Sequence, residues 1–304
     1  MNRQESAAMS AVASAPSAPR LDAATLTPVL ITIVAWASAF PAIRAGLAAF
    51  GPAELGAVRF GVAAIPAAIF LAVTRPALPS WSEAWRFIYG GIVFVALYTT
   101  FLNFGEVTVS AGAASFIINV APIMVALMAT FTLGERFSAL SWFGTFVSFA
   151  GIGLIALGEG GGISLNTGAL LILCAAVCTA TTAVIQKPLF RAHKPLTVSA
   201  WNMVIGAIAL SPLLPSGIEQ ASHAGTEALV SAIYLGIVPS FIAYGSWAVA
   251  LSKLPAARAS NFLYCVPPTA TLMGFVWLGE VPGLAGIIGG LMALGGVVLV
   301  NLKR

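Results

Sequence analysis

Long apolar stretches separated by short polar connections run along almost the whole chain. A membrane-spanning helix needs about 20 mostly apolar residues, and turn residues such as those of 158–162 punctuate the stretches. The pattern predicts an all-α integral membrane protein with ten transmembrane helices. These are called spans 1 to 10 and cover residues 26–48, 53–74, 84–105, 109–131, 137–157, 167–188, 195–216, 225–248, 255–278 and 283–302.

An internal repeat relates the two halves of the chain. An offset of 143 residues pairs Arg44 with Lys187 and Pro52 with Pro195. Further along, an offset of 146 residues, which becomes 145 after one dropped residue, aligns identical residues: Tyr98 with Tyr244, Ala113 with Ala259, Phe116 with Phe262, Val120 with Val266, Pro122 with Pro268, Leu133-Gly134-Glu135 with Leu278-Gly279-Glu280, Gly144 with Gly289, and Gly151 with Gly296.

The repeat divides the chain into two five-helix units, residues 26–157 and 167–302. Because five is odd, the second unit must enter the membrane from the opposite side. Inverted repeats of this kind occur in many secondary transporters, where an exchange of conformations between the two halves gives alternating access. Residues 1–25 are polar, lack a signal-peptide apolar region, and are expected to form a disordered cytoplasmic tail.

Composition supports the membrane assignment. Hydrophobic residues make up 59% of the 304 residues and charged residues only 8%, whereas a soluble domain carries about 25% charged residues. Every Lys and Arg except Arg44 and Arg59 lies in a tail or in loops of one predicted side. The positive-inside rule then predicts cytoplasmic N- and C-termini, and bases scattered in this way predict no nucleic-acid partner.

Prolines interrupt two symmetry-related spans. Pro122 lies in span 4, and Pro267 and Pro268 lie in span 9. Interior proline removes a backbone hydrogen bond, and freed carbonyls are tolerated at membrane depth where they face protein or a water-filled cavity. The recurrence favours a functional bend, although membrane helices also carry proline with no hinge role.

Two segments resemble a known transporter family. WASAFPAIRAGLAAFGPAELGAVRF, residues 36–60, is similar to the first helix pair of the drug/metabolite transporter superfamily, and residues 254–300 resemble its EamA-type closing signature. Among the branches of that superfamily, the chain is most similar to the YddG-like amino-acid exporters of the bacterial inner membrane. The resemblance implies a cavity lined mainly by spans 1, 3, 4, 6, 8 and 9, through which amino acids or related metabolites are exported.

Polar and aromatic residues within the spans are the candidates for substrate binding. An uncharged chamber of rings, hydroxyls and amides suits zwitterions with apolar or aromatic side chains, because rings can cover the side chain or the ammonium group. The alternative is that these groups only join helices to one another. The candidates are Trp36, Ser38, Tyr98, Asn103, Ser115, Asn119, Thr179, Thr182, Tyr244, Trp247, Asn261 and Tyr264.

The two intramembrane arginines have two interpretations. Near a helix end, Arg44 and Arg59 can reach the headgroups by snorkelling. Alternatively they pair with Glu54 or Glu106 at an external gate. Glu135 and Glu280 follow glycine in equivalent turns and are expected to hold loops at opposite faces.

The sequence offers little for other kinds of chemistry. It lacks a GxxxxGK[ST] phosphate loop, which predicts no ATP use, and the absence of a carboxylate at a predicted midplane favours facilitated diffusion or exchange over proton coupling. Cys174, Cys178 and Cys265 lie in apolar segments away from His and carboxylates, so neither metal nor cofactor is expected. Small-molecule substrate and membrane lipid are the expected partners.

Several alternatives stay open at this point. Other metabolites or drugs could be the substrate, and a polytopic enzyme acting on lipids is a more distant alternative. That enzyme would need a His, Asp, Ser or Cys cluster, which two isolated histidines do not provide. Gly286 and Gly290 allow close helix contact, which predicts packing of span 5 against span 10 in a monomer.

Overall fold

The computed structural model describes residues 23–121, 123–124, 128, 138–159, 166–253 and 262–301. Every regular element in these ranges is helical, which confirms the all-α class. The α-helices are numbered in chain order: α1 Ala23–Ala37, α2 Ala39–Gly46, α3 Pro52–Thr74, α4 Trp81–Tyr89, α5 Tyr98–Glu106, α6 Ala111–Ile118, α7 Ala139–Glu159, α8 Thr167–Gln186, α9 Pro195–Leu210, α10 Leu214–His223, α11 Thr226–Leu235, α12 Ala243–Lys253, α13 Val266–Leu278 and α14 Leu284–Asn301.

Consecutive helices join into stretches that match the length of a membrane span. Among the described residues, six stretches are long and apolar enough to cross a membrane: Ala23–Gly46, Pro52–Thr74, Trp81–Glu106, Thr167–Arg191, Pro195–His223 and Thr226–Trp247. Three shorter apolar stretches, Trp142–Ile155, Leu263–Leu278 and Leu284–Gly296, overlap predicted spans 5, 9 and 10. The chain is therefore a multi-pass membrane protein, and the full count of ten spans stays a prediction.

Two segments of π-helix lie at matching points of the two halves. Gly90–Leu97 connects α4 to α5, and Gly236–Ile242 connects α11 to α12. The 146-residue offset relates their first glycines. Local π-helix is rare and frequently marks functional sites, and both segments adjoin the polar contacts described below.

The chain differs from the predicted boundaries at two places. Predicted span 7 ends at residue 216, but a 3₁₀ turn at Ser211–Leu213 leads directly into α10, so the helical stretch continues to His223. Pro267 and Pro268 stand in the first turn of α13 rather than in a helix interior. A proline there removes no helical hydrogen bond, because first-turn N–H groups have no intrahelical partner.

Helices α7 and α14 pack closely, as predicted for spans 5 and 10. A side chain at Gly151 would collide with the Gly289 backbone, and one at Gly296 would collide with the Gly144 backbone. The Ser148 hydroxyl between them donates to the Ala293 carbonyl at 3.1 Å. The predicted glycines do not make this contact: Gly290 faces the Phe116 ring, and Gly286 has no neighbour within 4 Å.

Candidate functional site

Five aromatic rings from the two halves of the chain meet in one place and are called the aromatic cluster. The Trp36 ring centre lies 5.6 Å from those of Tyr244 and Trp247. The Phe94 ring lies 5.6 Å from Tyr98 and 5.5 Å from Tyr244. These separations are typical of attractive ring pairs. The structure thus brings together four predicted residues and adds Phe94, which the sequence reasoning missed.

The π-helical segment at Gly236–Ile242 shapes one wall of the cluster. Pro239 within it has no N–H group, and its carbonyl accepts a hydrogen bond from Trp36 Nε1 at 3.2 Å. The Ser240 hydroxyl donates to the Leu235 carbonyl at 2.9 Å. Its remaining lone pairs can therefore accept a hydrogen bond from another helix.

Arg59 on α3 makes that contact. Its Nε donates to Ser240 Oγ at 2.9 Å, and its residue exposure is only 4%. Nη1 is buried without a hydrogen-bond partner in the part of the chain that the structure describes, while Tyr98 and Tyr244 lie near enough to interact electrostatically with the guanidinium. The snorkelling interpretation is therefore wrong for Arg59. The sequence reasoning predicted an uncharged chamber, whereas the structure places a guanidinium beside the aromatic cluster.

Arg44 forms an ion pair that the sequence reasoning did not predict. Its Nε lies 3.0 Å from Glu280 Oε1, and the two side chains are 32% and 19% exposed. Glu280 Oε2 accepts from the Ala111 amide at 2.9 Å, and Arg44 Nη1 donates to the carbonyls of Glu106 and Val107. We call this arrangement the Arg44 clasp. It joins the ends of α2 and α5, the start of α6 and the segment after α13.

The Gly-Glu motif after α13 explains how Glu280 reaches this position. Gly279 has φ 68°, a left-handed conformation that favours glycine. Its amide bonds to the Phe275 carbonyl, and the Glu280 amide bonds to the Gly274 carbonyl, as in a Schellman-type helix end. The turn ends the helix and leaves the Glu280 carboxylate beside Arg44.

The predicted partners Glu54 and Glu106 do not form these ion pairs. Glu54 lies in the first turn of α3, where a carboxylate favours the positive end of the helix dipole. Glu106 is fully buried at the end of α5, and neither of its carboxylate oxygens has a hydrogen-bond partner in the protein. Arg44 and Arg59 both interact with Glu106 electrostatically. Glu106 is therefore a buried ionisable group and not part of a surface gate.

Asn103 links α5 to α3. Its Nδ2 donates to the Pro52 carbonyl at 2.8 Å, whereas its Oδ1 is buried and unpartnered. Gly56 lets the helices approach, because a Cβ there would lie 3.1 Å from Thr99 Cγ2. Asn103 therefore lies in the same region as Arg59 and Glu106. On α5 it follows Thr99 by one helical turn.

Other predicted residues bond within or between helices away from the cluster. Ser38 Oγ donates to the Ala35 carbonyl and shares a 2.7 Å hydrogen bond with the Tyr234 hydroxyl. Bonds within one helix satisfy Ser115, Asn119 and Thr179. The remaining predictions comprise Thr182, which is buried with an unpartnered hydroxyl, Tyr264, which packs against the core, and Asn261 and Pro122, which lie outside the described residues.

The predicted site residues did not include a second buried polar contact. Gln186 and Asn202 exchange two buried hydrogen bonds of 2.9 Å and 3.0 Å, and Gln186 also donates to the Arg86 carbonyl at 3.1 Å. Gly90 leaves the necessary space, since a Cβ there would collide with both amides. The 143-residue offset, which relates Arg59 to Asn202, was the signal that could have identified this contact.

The described residues leave little open space beside the aromatic cluster. The rings of the aromatic cluster touch one another, and the cavity beside Tyr244 holds about 10 Å³, room for one water molecule at most. A larger cavity of about 580 Å³ lies elsewhere, between residues 48–49 and α10. A ligand the size of an amino acid would therefore require the rings to separate.

Comparison with known proteins identifies similar chains. A model of the EamA-like transporter family matches residues 25–157 and again residues 166–302. The chain is 37% identical to a protein of Streptantibioticus cattleyicolor named as a probable terminal-alkyne amino-acid exporter, over 90% of this chain and 92% of that one. It is 33% identical to YdfC of Bacillus subtilis, named as an uncharacterized transporter, over 88% of both chains. A solved crystal structure has the same fold, with a TM-score of 0.63 and 21% identity, over 91% of this chain and 95% of that one.

Proposed function

The chain is a membrane transporter of the EamA-like transporter family, and we propose that it exports amino acids with apolar or aromatic side chains. The family and the relatives are named as transporters, which confirms the prediction that the chain is not an enzyme. The name of the Streptantibioticus relative, a probable terminal-alkyne amino-acid exporter, supports this substrate class. Bacterial inner membrane is the corresponding location, with both termini in the cytoplasm.

The buried Arg59 beside the aromatic cluster is the observation that carries the proposal. Guanidinium binds carboxylate in a geometry that favours two parallel hydrogen bonds, and Nη1 has no competing partner in the protein. Aromatic rings cover apolar side chains favourably. An amino acid would therefore bind with its carboxylate on Arg59 and its side chain among Trp36, Tyr98 and Tyr244.

Transport would proceed by alternating access between two inverted five-helix repeats. The repeat pairs Gly144 with Gly289 and Gly151 with Gly296, yet the contacts run crosswise, from Gly144 to Gly296 and from Gly151 to Gly289. Crosswise contact between equivalent residues is expected when a two-fold axis relates two antiparallel helices. The family model also matches the two halves separately.

The same symmetry suggests a gate on each face. The Arg44 clasp would close one face, with Arg44 held by Glu280. The repeat relates these residues to Lys187 and Glu135. Glu135 lies outside the described residues, so the counterpart of the clasp on the opposite face stays a prediction. The junction at the start of α13, where Pro267 and Pro268 lie, would provide one bend, and Pro122 its counterpart in the first half. Export of other small metabolites or drugs is the alternative, because rings and one guanidinium also accept other apolar carboxylates.

A counterflow assay in liposomes tests the proposal. Purified protein in liposomes loaded with unlabelled L-phenylalanine should transiently accumulate labelled L-phenylalanine from outside. Trp36→Ala and Tyr98→Ala should each reduce that flux about tenfold. Trp81→Ala is the matched control, since Trp81 is 97% exposed. Absence of amino-acid counterflow in the unmodified protein would refute the proposed function.

A further inference from the structure

One face of α5 carries buried oxygen atoms without a hydrogen-bond partner among the described residues. They are Thr99 Oγ1, Asn103 Oδ1 and both carboxylate oxygens of Glu106, and all three residues have 0% exposure. Positions four and three apart share a helical face. Buried acceptors are almost always paired with donors, so this row of oxygens indicates a place where a ligand supplies them.

Arg59 supplies the complementary group across the helix interface. Its Nη1 is a buried donor without an acceptor, and it interacts electrostatically with both Tyr98 and Glu106 of α5. A metal cation would satisfy the oxygens but would be repelled by Arg59. A ligand with an ammonium group at one end and a carboxylate at the other satisfies both sides.

We propose that Thr99, Asn103 and Glu106 form an ammonium subsite, which binds the amino group of the amino acid whose carboxylate Arg59 holds. This inference rests on the proposed function. It narrows the substrate class from carboxylates in general to zwitterions. Glu106 neutralises the ammonium charge, and the oxygens of Asn103 and Thr99 accept its remaining N–H bonds, because an ammonium group has three donors.

A proton competes with the ammonium group for the Glu106 carboxylate. The charged and titratable groups that interact with Glu106 are Arg44 on α2, Arg59 on α3, Tyr98 on its own helix and Glu280 after α13. The Arg44 clasp contacts the same residue, because Arg44 Nη1 donates to the Glu106 carbonyl.

The test compares two ligands that differ only in the amino group. Binding of L-phenylalanine and 3-phenylpropionate is measured by calorimetry on the purified, detergent-solubilised protein over a range of pH. The unmodified protein should bind L-phenylalanine at least about tenfold more tightly than 3-phenylpropionate. That preference should fall as the pH falls, because protonated Glu106 cannot pair with the ammonium group.

Glu106→Gln should weaken L-phenylalanine binding to the level of 3-phenylpropionate, leave 3-phenylpropionate binding unchanged and remove the pH dependence. Glu106→Asp should keep the preference in part. Glu219→Gln, at an exposed position on α10, is the control and should match the unmodified protein. Size-exclusion profiles of the variants establish that they are folded.

Three outcomes would overturn the subsite while leaving the proposed site intact. The first is a Glu106→Gln variant that keeps its preference for L-phenylalanine. The second is equal weakening of both ligands, which would indicate a structural role for Glu106. Equal binding of the two ligands by the unmodified protein would also remove the subsite. If neither ligand binds the unmodified protein, the proposed function fails and the subsite fails with it.

Discussion

Two buried polar contacts occupy equivalent places in the two halves of the chain. The 143-residue offset relates Arg59 on α3 to Asn202 on α9. Each lies beside the first glycine of a π-helical segment: a Cβ on Gly236 would collide with the Arg59 carbonyl, and one on Gly90 would collide with the Asn202 amide. Both contacts therefore depend on a glycine in the π-helical segment, because a larger residue there would prevent the neighbouring helix from packing so closely.

The two contacts differ in how completely they are satisfied. Asn202 and Gln186 exchange two hydrogen bonds, so this pair holds its helices together and needs nothing more. Arg59 makes one hydrogen bond, to Ser240, and keeps a buried Nη1 without a partner. Buried polar groups that make all their hydrogen bonds rigidify a core. A buried polar group that lacks a partner destabilises the fold unless another molecule supplies the missing hydrogen bond. The difference separates a structural contact from a binding one.

Arg59→Asn should have the largest effect on transport, because it replaces the guanidinium with an amide, the group that Asn202 carries at the equivalent place in the other half. Removing the guanidinium deletes a charge-assisted hydrogen bond to the substrate carboxylate, so L-phenylalanine counterflow should fall about a hundredfold. The variant should stay folded, since it also removes an unpaired buried charge. Counterflow of the variant in liposomes, normalised to folded protein, measures this, and unchanged flux would contradict the assignment of Arg59 to the site.

Asn202→Ala should affect stability and not flux. The substitution leaves Gln186 Oε1 buried without its donor, which costs about 1–3 kcal/mol in the free energy of unfolding, while Gln186 Nε2 keeps its hydrogen bond to the Arg86 carbonyl. Flux per folded protein should stay unchanged. Unfolding in detergent micelles, followed by fluorescence, measures the free energy of unfolding, and counterflow measures the flux.

The matched variant for this pair removes both partners. Gln186→Ala combined with Asn202→Ala should lose less stability than the sum of the single changes, because no polar group is left unpaired. Additive losses would show that the two hydrogen bonds do not act as a unit. Lost flux in Asn202→Ala alone would mean that the second half also contributes a binding group.

Some of the site follows from the sequence because its residues stand out against apolar surroundings. Trp36, Tyr98, Tyr244 and Trp247 are large rings with a polar atom inside apolar spans, and the repeat relates Tyr98 to Tyr244. Their meeting requires only that the predicted helices pack as a bundle. Phe94 was missed since an apolar ring in an apolar span carries no signal of its own.

The charged part of the site does not follow from the sequence. Arg59 and Glu106 lie near predicted span ends, a position that also fits contact with headgroups. Their burial depends on how α3 and α5 cross neighbouring helices, which hydropathy does not encode. The roles of Ser115 and Asn119 stay predictions. Each donates a hydrogen bond to a carbonyl three or four residues earlier, and no sequence pattern distinguishes that bond from a ligand contact.

Glu280→Gln should have the smallest effect, because the Arg44 clasp is partly exposed. Exposed ion pairs contribute about 0.2–1 kcal/mol, and Arg44 keeps its hydrogen bonds to the Glu106 and Val107 carbonyls. The free energy of unfolding should fall by no more than this amount. Faster hydrogen exchange at the Ala111 amide should accompany it, since Glu280 accepts its hydrogen bond.

Glu227→Gln is the matched control for the clasp. Glu227 also accepts an exposed hydrogen bond, from Trp277 Nε1 at 3.3 Å, so the same substitution tests a carboxylate outside the clasp. Hydrogen exchange at Ala111 should not change in this variant. If Glu280→Gln lowers stability by several times the expected amount, the clasp holds the fold together and cannot open in each cycle. Small loss with faster exchange is what a gate over Glu106 requires, because a gate must be weak enough to break while the helices beneath it stay packed.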